Sequence, residues 1–372
     1  MMKEDLFTNL PEEMTREILR RVPIKSLFSC RCVCKSWRDL IEEPEFLSSY
    51  SPKPCIASSY KNMYTIYDDE ACEPLLRFRM NPPPTVSEKV CHGFEIDSID
   101  GLLLLRDVST YAYCICNPMT REYIVLPSVA KHSPRGYNYS IHGLGVSKIS
   151  GQYKILCCRV SRRSYKCYVY TLGGGGSWRI ISATTPGLPE RHIFNKAVFC
   201  NGNLHWLASN SDFEEKQIIC CFDLESELLT NFSIPPRVYD SDIKLTYRLC
   251  ILEGRLCLYP YICGLIDVGI WWMDKYGDEN SWVKVYNFHE PRGKNGIISF
   301  LKVLENGDLL FAIDYDRLLF IYSKSTKDVM LFSHPLPYPY GQYNITTYTP
   351  SFLSLKAMGI QHVQSLDLHR SY

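Results

Sequence analysis

Apolar residues along this chain follow two different periods. Between Leu10 and Phe46 (LPEEMTREILRRVPIKSLFSCRCVCKSWRDLIEEPEF) they recur at helical steps. Leu10-Pro11 leads into a charged helix start, the pair Ile18-Leu19 follows, and Val22-Pro23 ends that helix. Leu27, Cys30, Cys34, Trp37 and Ile41 then stand at steps of 3, 4, 3 and 4, which puts them on one face of a helix or of two short abutting helices. Glu12-Glu13 at the helix start and Arg20-Arg21 at its end complement the helix dipole, so they need not be contacts. A segment of about forty residues has too little interior to hide so many apolar groups. Some of them must face a partner.

After residue 50 the helical spacing gives way to short alternating runs, such as Tyr168 to Leu172 and Ile218 to Phe222. Gly101, Gly151, Gly202, Gly254 and Gly307 each head an apolar strand, at spacings of 50, 51, 52 and 53. Polar turns recur later in several units, at Asn117 to Glu122, Asp223 to Glu227 and Ser323 to Lys327. Units of about fifty residues with about four strands each predict a β-propeller of kelch-like spacing, whose closure also removes exposed sheet edges. Residues 54–81 and the stretch from Tyr348 to Leu355 are each too short for a blade, and together they predict a closing blade. The expected fold is a small all-α module followed by an all-β, propeller-like domain of about six kelch-like blades. A non-repeating pair of β-sandwiches is the alternative, disfavoured by the regular glycine period.

Composition narrows the function. Lys+Arg is 41 against 40 Asp+Glu, so the net charge of +1 argues against general nucleic-acid binding. The 17 cysteines sit in a chain long enough to build an ordinary core, which needs no disulfide framework. The first residues, MMKEDLFTNLPEE, lack the apolar core of a signal peptide, and the richest apolar run, Ile262 to Met273, contains Asp267. The expectation is a protein in a reducing compartment, with no membrane insertion.

No chemistry of a catalytic kind emerges. Cys30, Cys32 and Cys34 would point about 200° apart in succession on a helix and cannot converge on one metal. Gly173 to Gly176 lacks the following Lys-Ser/Thr and leads to a strand at Trp178, so it reads as a hairpin loop rather than a phosphate cradle. Asp314 and Asp316 read as solvated turn residues. The sequence predicts no catalytic residue, no metal and no cofactor.

Two resemblances cover nearly the whole chain. Leu10-Pro11, Ile18-Leu19, Pro23, Lys25-Ser26-Leu27, Val33-Cys34-Lys35, Trp37, Leu40-Ile41 and Pro44-Glu45-Phe46 fall where an F-box places such residues. The rest resembles the F-box-associated domain of plant F-box proteins. The matching pieces include Gly101-Leu102-Leu103, Cys116 to Glu122 with Leu126-Pro127, Tyr153 to Leu156, Val198 to Gly202 with Leu204 to Leu207, Phe222-Asp223-Leu224, and Trp272-Met273 with Ser281-Trp282. Gly143-x-Gly145 matches too, but the Asp usual before the Tyr-Lys pair is missing. Type 1 fits best, with type 3 traits in Ile180-Ile181 and Cys220-Cys221-Phe222.

The resemblance implies residues 1–48 as F-box, 49–360 as a substrate-binding propeller and 361–372 as a C-terminal tail. It implies a non-catalytic substrate receptor of an SCF-type ubiquitin ligase, cytoplasmic or nuclear. Its partners would be a Skp-type adaptor, through it cullin and RING subunits, and an unknown protein target. A propeller that binds a small ligand or glycan, with the F-box for assembly only, is the alternative. The expected adaptor contacts are Leu10, Pro11, Ile18, Leu19, Val22, Pro23, Leu27, Val33 and Trp37. Long stretches between units, 131–142, 186–196, 236–247, 290–297 and 334–348, are the expected target rim. They hold Arg135, Tyr137, Tyr139, Arg191, His192, Phe194, Tyr239, Arg292, Tyr338, Tyr340 and Tyr343, and Tyr and Arg are enriched at interface hot spots.

Overall fold

The computed structural model describes residues 10–50, 52–60, 62–67, 74–80, 94–107, 112–129, 139–161, 164–181, 191–192, 196–209, 217–235, 247–260, 262–263, 267–289, 296–313, 318–333 and 344–369. Four helices come first: α1 (Glu12–Arg21), α2 (Ile24–Cys30), α3 (Lys35–Glu42) and α4 (Pro44–Ser49). Prolines punctuate them. Pro11 and Pro23 stand just before α1 and α2, and Pro44 opens α4, where a missing N–H costs nothing. Cys34 caps α3, its Sγ accepting from the Trp37 N–H at 3.4 Å. Glu12–Arg16 and Glu17–Arg21 ion pairs, one turn apart, support α1.

The strands among the described residues form six sheets, the blades of a propeller. Blade 2 shows the plan: Phe94–Ile99 is innermost, then Leu102–Asp107, Tyr113–Asn117 and Glu122–Val125 move outward, all antiparallel. Blades 3 to 6 begin at Tyr139, Arg191, Tyr247 and Gly296. Blade 1 is composite. Asn344–Tyr348, from the end of the chain, is its inner strand and pairs with Cys55–Tyr60, followed by Met63–Tyr67 and Pro74–Arg79. The closing blade expected from the sequence is present, but its late strand is 344–348; residues 349–355 form no strand. The inner strands touch in sequence around the ring, from 344–348 through 94–99, 139–146, 198–200, 247–252 and 296–303 back to 344–348.

The periodic glycines sit in the turns between first and second strands. Asp100-Gly101, Asn201-Gly202 and Glu253-Gly254 all have positive φ at both residues, the signature of a tight type I′ hairpin. All six inner strands run the same way, so these turns and those between third and fourth strands share one end of the propeller.

Residues 361–372, expected as a tail, carry two strands: Gln364–Ser365 pairs with the outer edge of blade 2, and Leu368–His369 with that of blade 1. Before them, residues 351–355 are tied under blade 2. Asn117 Nδ2 donates to the carbonyls of Ser351 (3.0 Å) and Leu353 (2.8 Å), and Glu122 accepts from the Leu355 N–H (2.6 Å). A backbone end that would need capping is thus satisfied by two buried side chains.

The helices do not stand apart. Leu19, Leu27, Leu40, Ile41 and Phe46 join one apolar cluster with Tyr64, Ile66 and Phe78 of blade 1, Leu103 and Leu105 of blade 2, and Phe352. The expected 48/49 boundary falls inside α4, and the cluster runs across it. Cys158 and Cys167, opposite each other in blade 3, form the one disulfide among the described residues.

Candidate functional site

Helix α1 carries apolar residues on two faces. Thr15, Leu19 and Val22 follow one helical stripe; Thr15 and Leu19 are buried and Val22 half-buried. Pro11, Met14 and Ile18, at steps of 3 and 4, follow another, and all three are exposed. Met14 is 55% and Ile18 42% exposed, while Val33 in the turn after α2 is 64% exposed. Three large apolar groups in water on so short a segment leave several kcal/mol of burial unrealised in the isolated chain, at about 1–2 kcal/mol each.

The expected contact residues divide accordingly. Pro11, Ile18, Pro23 and Val33 are exposed, and Leu10 is partly so. Leu19 and Leu27 have no exposed surface at all, so their place on the contact face is corrected: they are the module's core. Val22 and Trp37 are half-buried against that same core. Adjacent positions such as Ile18 and Leu19 lie about 100° apart on a helix, and the sequence alone did not say which faces inward. Met14, which the sequence reading passed over, belongs with Ile18 by its spacing of four.

The expected target rim is a matter of topology. The strand ends at Val125, Ile181, Ser233, His289 and Ser333, and the starts at Tyr139, Arg191, Tyr247, Gly296 and Asn344, share the end opposite the glycine turns. Arg191 and His192 form a short strand against Ala208 and Ser209, and Tyr139 opens the inner strand of blade 3. Arg135, Tyr137, Phe194, Tyr239, Arg292, Tyr338, Tyr340 and Tyr343 lie outside the described residues.

Near the axis is a partly buried charge cluster that sequence reasoning missed. Glu95 Oε2 lies 2.5 Å from Arg106 Nη1 and 3.2 Å from His142 Nε2. Lys196 of blade 4 reaches across to Asp97 (3.4 Å) and donates to the Ile96 carbonyl (2.9 Å) in blade 2. Burial would raise the Glu95 carboxyl, but His142, Arg106 and Lys196 hold it below its usual range. Burial pushes His142 down to about 4, against the pull of Glu95, so its imidazole is neutral near pH 7. Arg106 of the same blade pairs with Glu95, and Lys196 of blade 4 pairs with Asp97. The arrangement ties blades 2, 3 and 4 together. The available signal was the presence of Glu95, Asp97 and His142 within otherwise apolar inner strands.

A second buried knot joins blades 4 and 5. Tyr276 OH meets Asn203 Nδ2 at 2.8 Å and His205 Nε2 at 2.9 Å. Among the described residues no three His, Cys, Asp or Glu groups converge as metal ligands. None of their helices is long and apolar enough to cross a membrane.

Comparison with known proteins follows this division. The F-box domain matches residues 7–49, and the F-box associated beta propeller domain matches residues 63–330. The chain belongs to the F-box-associated β-propeller family. The matching form is type 3, where the sequence reading put type 1 first and type 3 traits second. An F-box protein of Arabidopsis thaliana is 27% identical over 323 residues, 82% of this chain and 76% of its own length. F-box protein DOR, from the same plant, is 25% identical over 387 residues, 96% of this chain and 90% of its own. Among solved structures, a chain of a nidogen/laminin complex is 12% identical, with a TM-score of 0.48, over 79% of this chain and 98% of that one.

Proposed function

We propose that this F-box-associated propeller protein is the substrate-recognition subunit of an SCF-type ubiquitin ligase. The observation that carries the reading is the exposed apolar stripe of Pro11, Met14 and Ile18, with Val33, on a module that is an F-box by family. A Skp-type adaptor would cover that stripe and bring cullin and RING subunits with it. The blades, of the kelch-like period read from the glycines, would hold a protein target at the end away from the glycine turns. The chain itself would supply no acid, base or nucleophile. Its contribution would be effective concentration, keeping a target lysine near a ubiquitin thioester. The reading puts the complex in the cytoplasm or nucleus.

The test is co-precipitation of a Skp-type adaptor with two variants of the full chain. Met14→Glu with Ile18→Glu, and Leu10→Ala with Pro11→Ala, should both lose the adaptor. Each lost apolar contact of about 1.5 kcal/mol weakens binding about tenfold. The first variant should keep its unfolding midpoint, since both side chains are already in water. Undiminished adaptor capture by both variants sinks the assignment. For the target end, charge reversal at Arg135 and Arg191 with Tyr340→Ala should stabilise the cellular target without loosening the adaptor.

A further inference from the structure

The helical module meets the propeller over a cleft of about 440 Å³ that the proposed function does not use. Its walls are strongly cationic. Arg31, Lys35 and Arg38 come from the α2–α3 region, and Arg121 from the turn of blade 2; two thiols, Cys32 and Cys34, lie between them. No carboxylate lines it. Arg31 pairs with Glu42 outside the lining, sits 4.9 Å from the centre of the Phe352 ring and reaches the Met119 carbonyl at 3.4 Å. Its Nε is buried and has no hydrogen-bond partner. Arg38 is 3.8 Å from the exposed Asp39. The backbone at Arg121 is fixed, since its carbonyl accepts from the Leu366 N–H at 2.8 Å. Lys35 is the first residue of α3, so the positive end of that helix dipole is here as well.

Four like charges held around one concavity repel each other, and the carboxylates of Glu42 and Asp39, which stand near two of them, lie outside the lining. We propose that this cleft binds a small polyanion carrying two or more phosphate groups. Arginine forks match phosphate oxygens in pairs, and three of the four cations are arginines. The volume lies within the range of small-molecule sites, roughly 300–1,000 Å³, and far exceeds what one phosphate fills. A ligand there would bridge the F-box to blade 2, because its cations come from both. This site is independent of the receptor reading and can be tested without an adaptor.

The experiment is calorimetric titration of the full chain with inorganic tripolyphosphate, with sulfate at matched ionic strength as the reference. The expected result is saturable binding of tripolyphosphate that sulfate does not reproduce, weakening steeply with added salt. Lys35→Gln with Arg121→Gln should weaken it at least about tenfold. Lys35→Gln alone serves as the milder variant and should unfold at an unchanged midpoint without ligand, since Lys35 is exposed. Binding no tighter than that of sulfate overturns the proposal, as does undiminished affinity in the double variant. Saturable binding of a hexaglutamate peptide without binding of tripolyphosphate overturns it too, and would make the cleft a dock for an acidic protein segment.

Discussion

Replacing Gly101 by alanine should cost far more than replacing Gly254, although both hold the same place in their blades. Each is the second residue of a type I′ turn, at φ +82 and +72. A side chain in that left-handed region costs about 1–2 kcal/mol. At Gly254 nothing lies within 4 Å of a new Cβ, so the backbone strain is the whole cost. At Gly101 the Cβ would stand 2.2 Å from Ser351 Oγ and 2.7 Å from Ser351 N. Backbone cannot rotate aside as a side chain can, so residue 351 must leave. Its departure breaks the Ser351 Oγ bond to the Asp100 carbonyl (2.5 Å) and the two bonds from Asn117 to residues 351 and 353. At about 1 kcal/mol for each bond lost, the total for Gly101→Ala is about 3–5 kcal/mol. Equilibrium urea unfolding of the two variants measures the difference. If they fall within about 0.5 kcal/mol of each other, the ordinary scatter of a surface substitution, the C-terminal strap does not hold blade 2 as described.

Two neighbours on α1 should behave oppositely. Leu19→Ala, at a position with no exposed surface, should destabilise the chain by about 2–5 kcal/mol, whereas Ile18→Ala should change urea stability by about 0.5 kcal/mol or less and act on adaptor capture instead. Acid should weaken the propeller before ordinary carboxylates titrate. Burial holds His142 and His205 down to about 4, against a usual value of 6.5, so the unfolded chain takes up protons first as pH falls. The stability these two groups contribute is complete above pH 6.5 and is lost between 6.5 and 4. Glu95, held low by its cations, acts with the same sign further into acid. Unfolding midpoints from pH 7.5 to 4.5 should fall, and the double substitution His142→Gln with His205→Gln should flatten that slope. An unchanged slope in the variant refutes the assignment.

The propeller was legible because its turns demand a residue that tolerates positive φ. Gly101, Gly202 and Gly254 mark the bottom of the first strand of their blades, and the period of glycines is the period of blades. The C-terminal strap was not legible. Ser351 to Met358 has no strand alternation, and its anchors Asn117 and Glu122 look in sequence like ordinary turn residues. Their role exists only once the closing strand 344–348 brings the chain back beside blade 2. Long-range pairing of this kind leaves no local pattern. The same limit hid the axial cluster, where Lys196 reaches Asp97 across a hundred residues of chain. On α1 the apolar content was readable but its division into two faces was not, since both stripes obey the same helical period.

The two ends of the propeller are built differently, and this asymmetry bears on how a receptor would work. At the end of the glycine turns, the complete connections between described strands of one blade are two to eight residues long. At the other end, the stretches between successive blades run from six residues, 290–295, to fourteen, 80–93. Long connections over a rigid scaffold are where binding sequences can vary without cost to the fold. The chain passes from α4 into blade 1 at Cys55, opposite Tyr348, at the short-turn end. The strap and Arg31 bind the helices to that same end through Phe352 and Met119. In the proposed function, then, adaptor and target occupy opposite ends of one body. Because Leu19, Leu27 and Phe46 share a core with blades 1 and 2, the distance between those ends is set by packing and not by a linker. A flexible tether would spread a target over many positions. A shared core holds it at one, which is what proximity requires for transfer to a particular lysine.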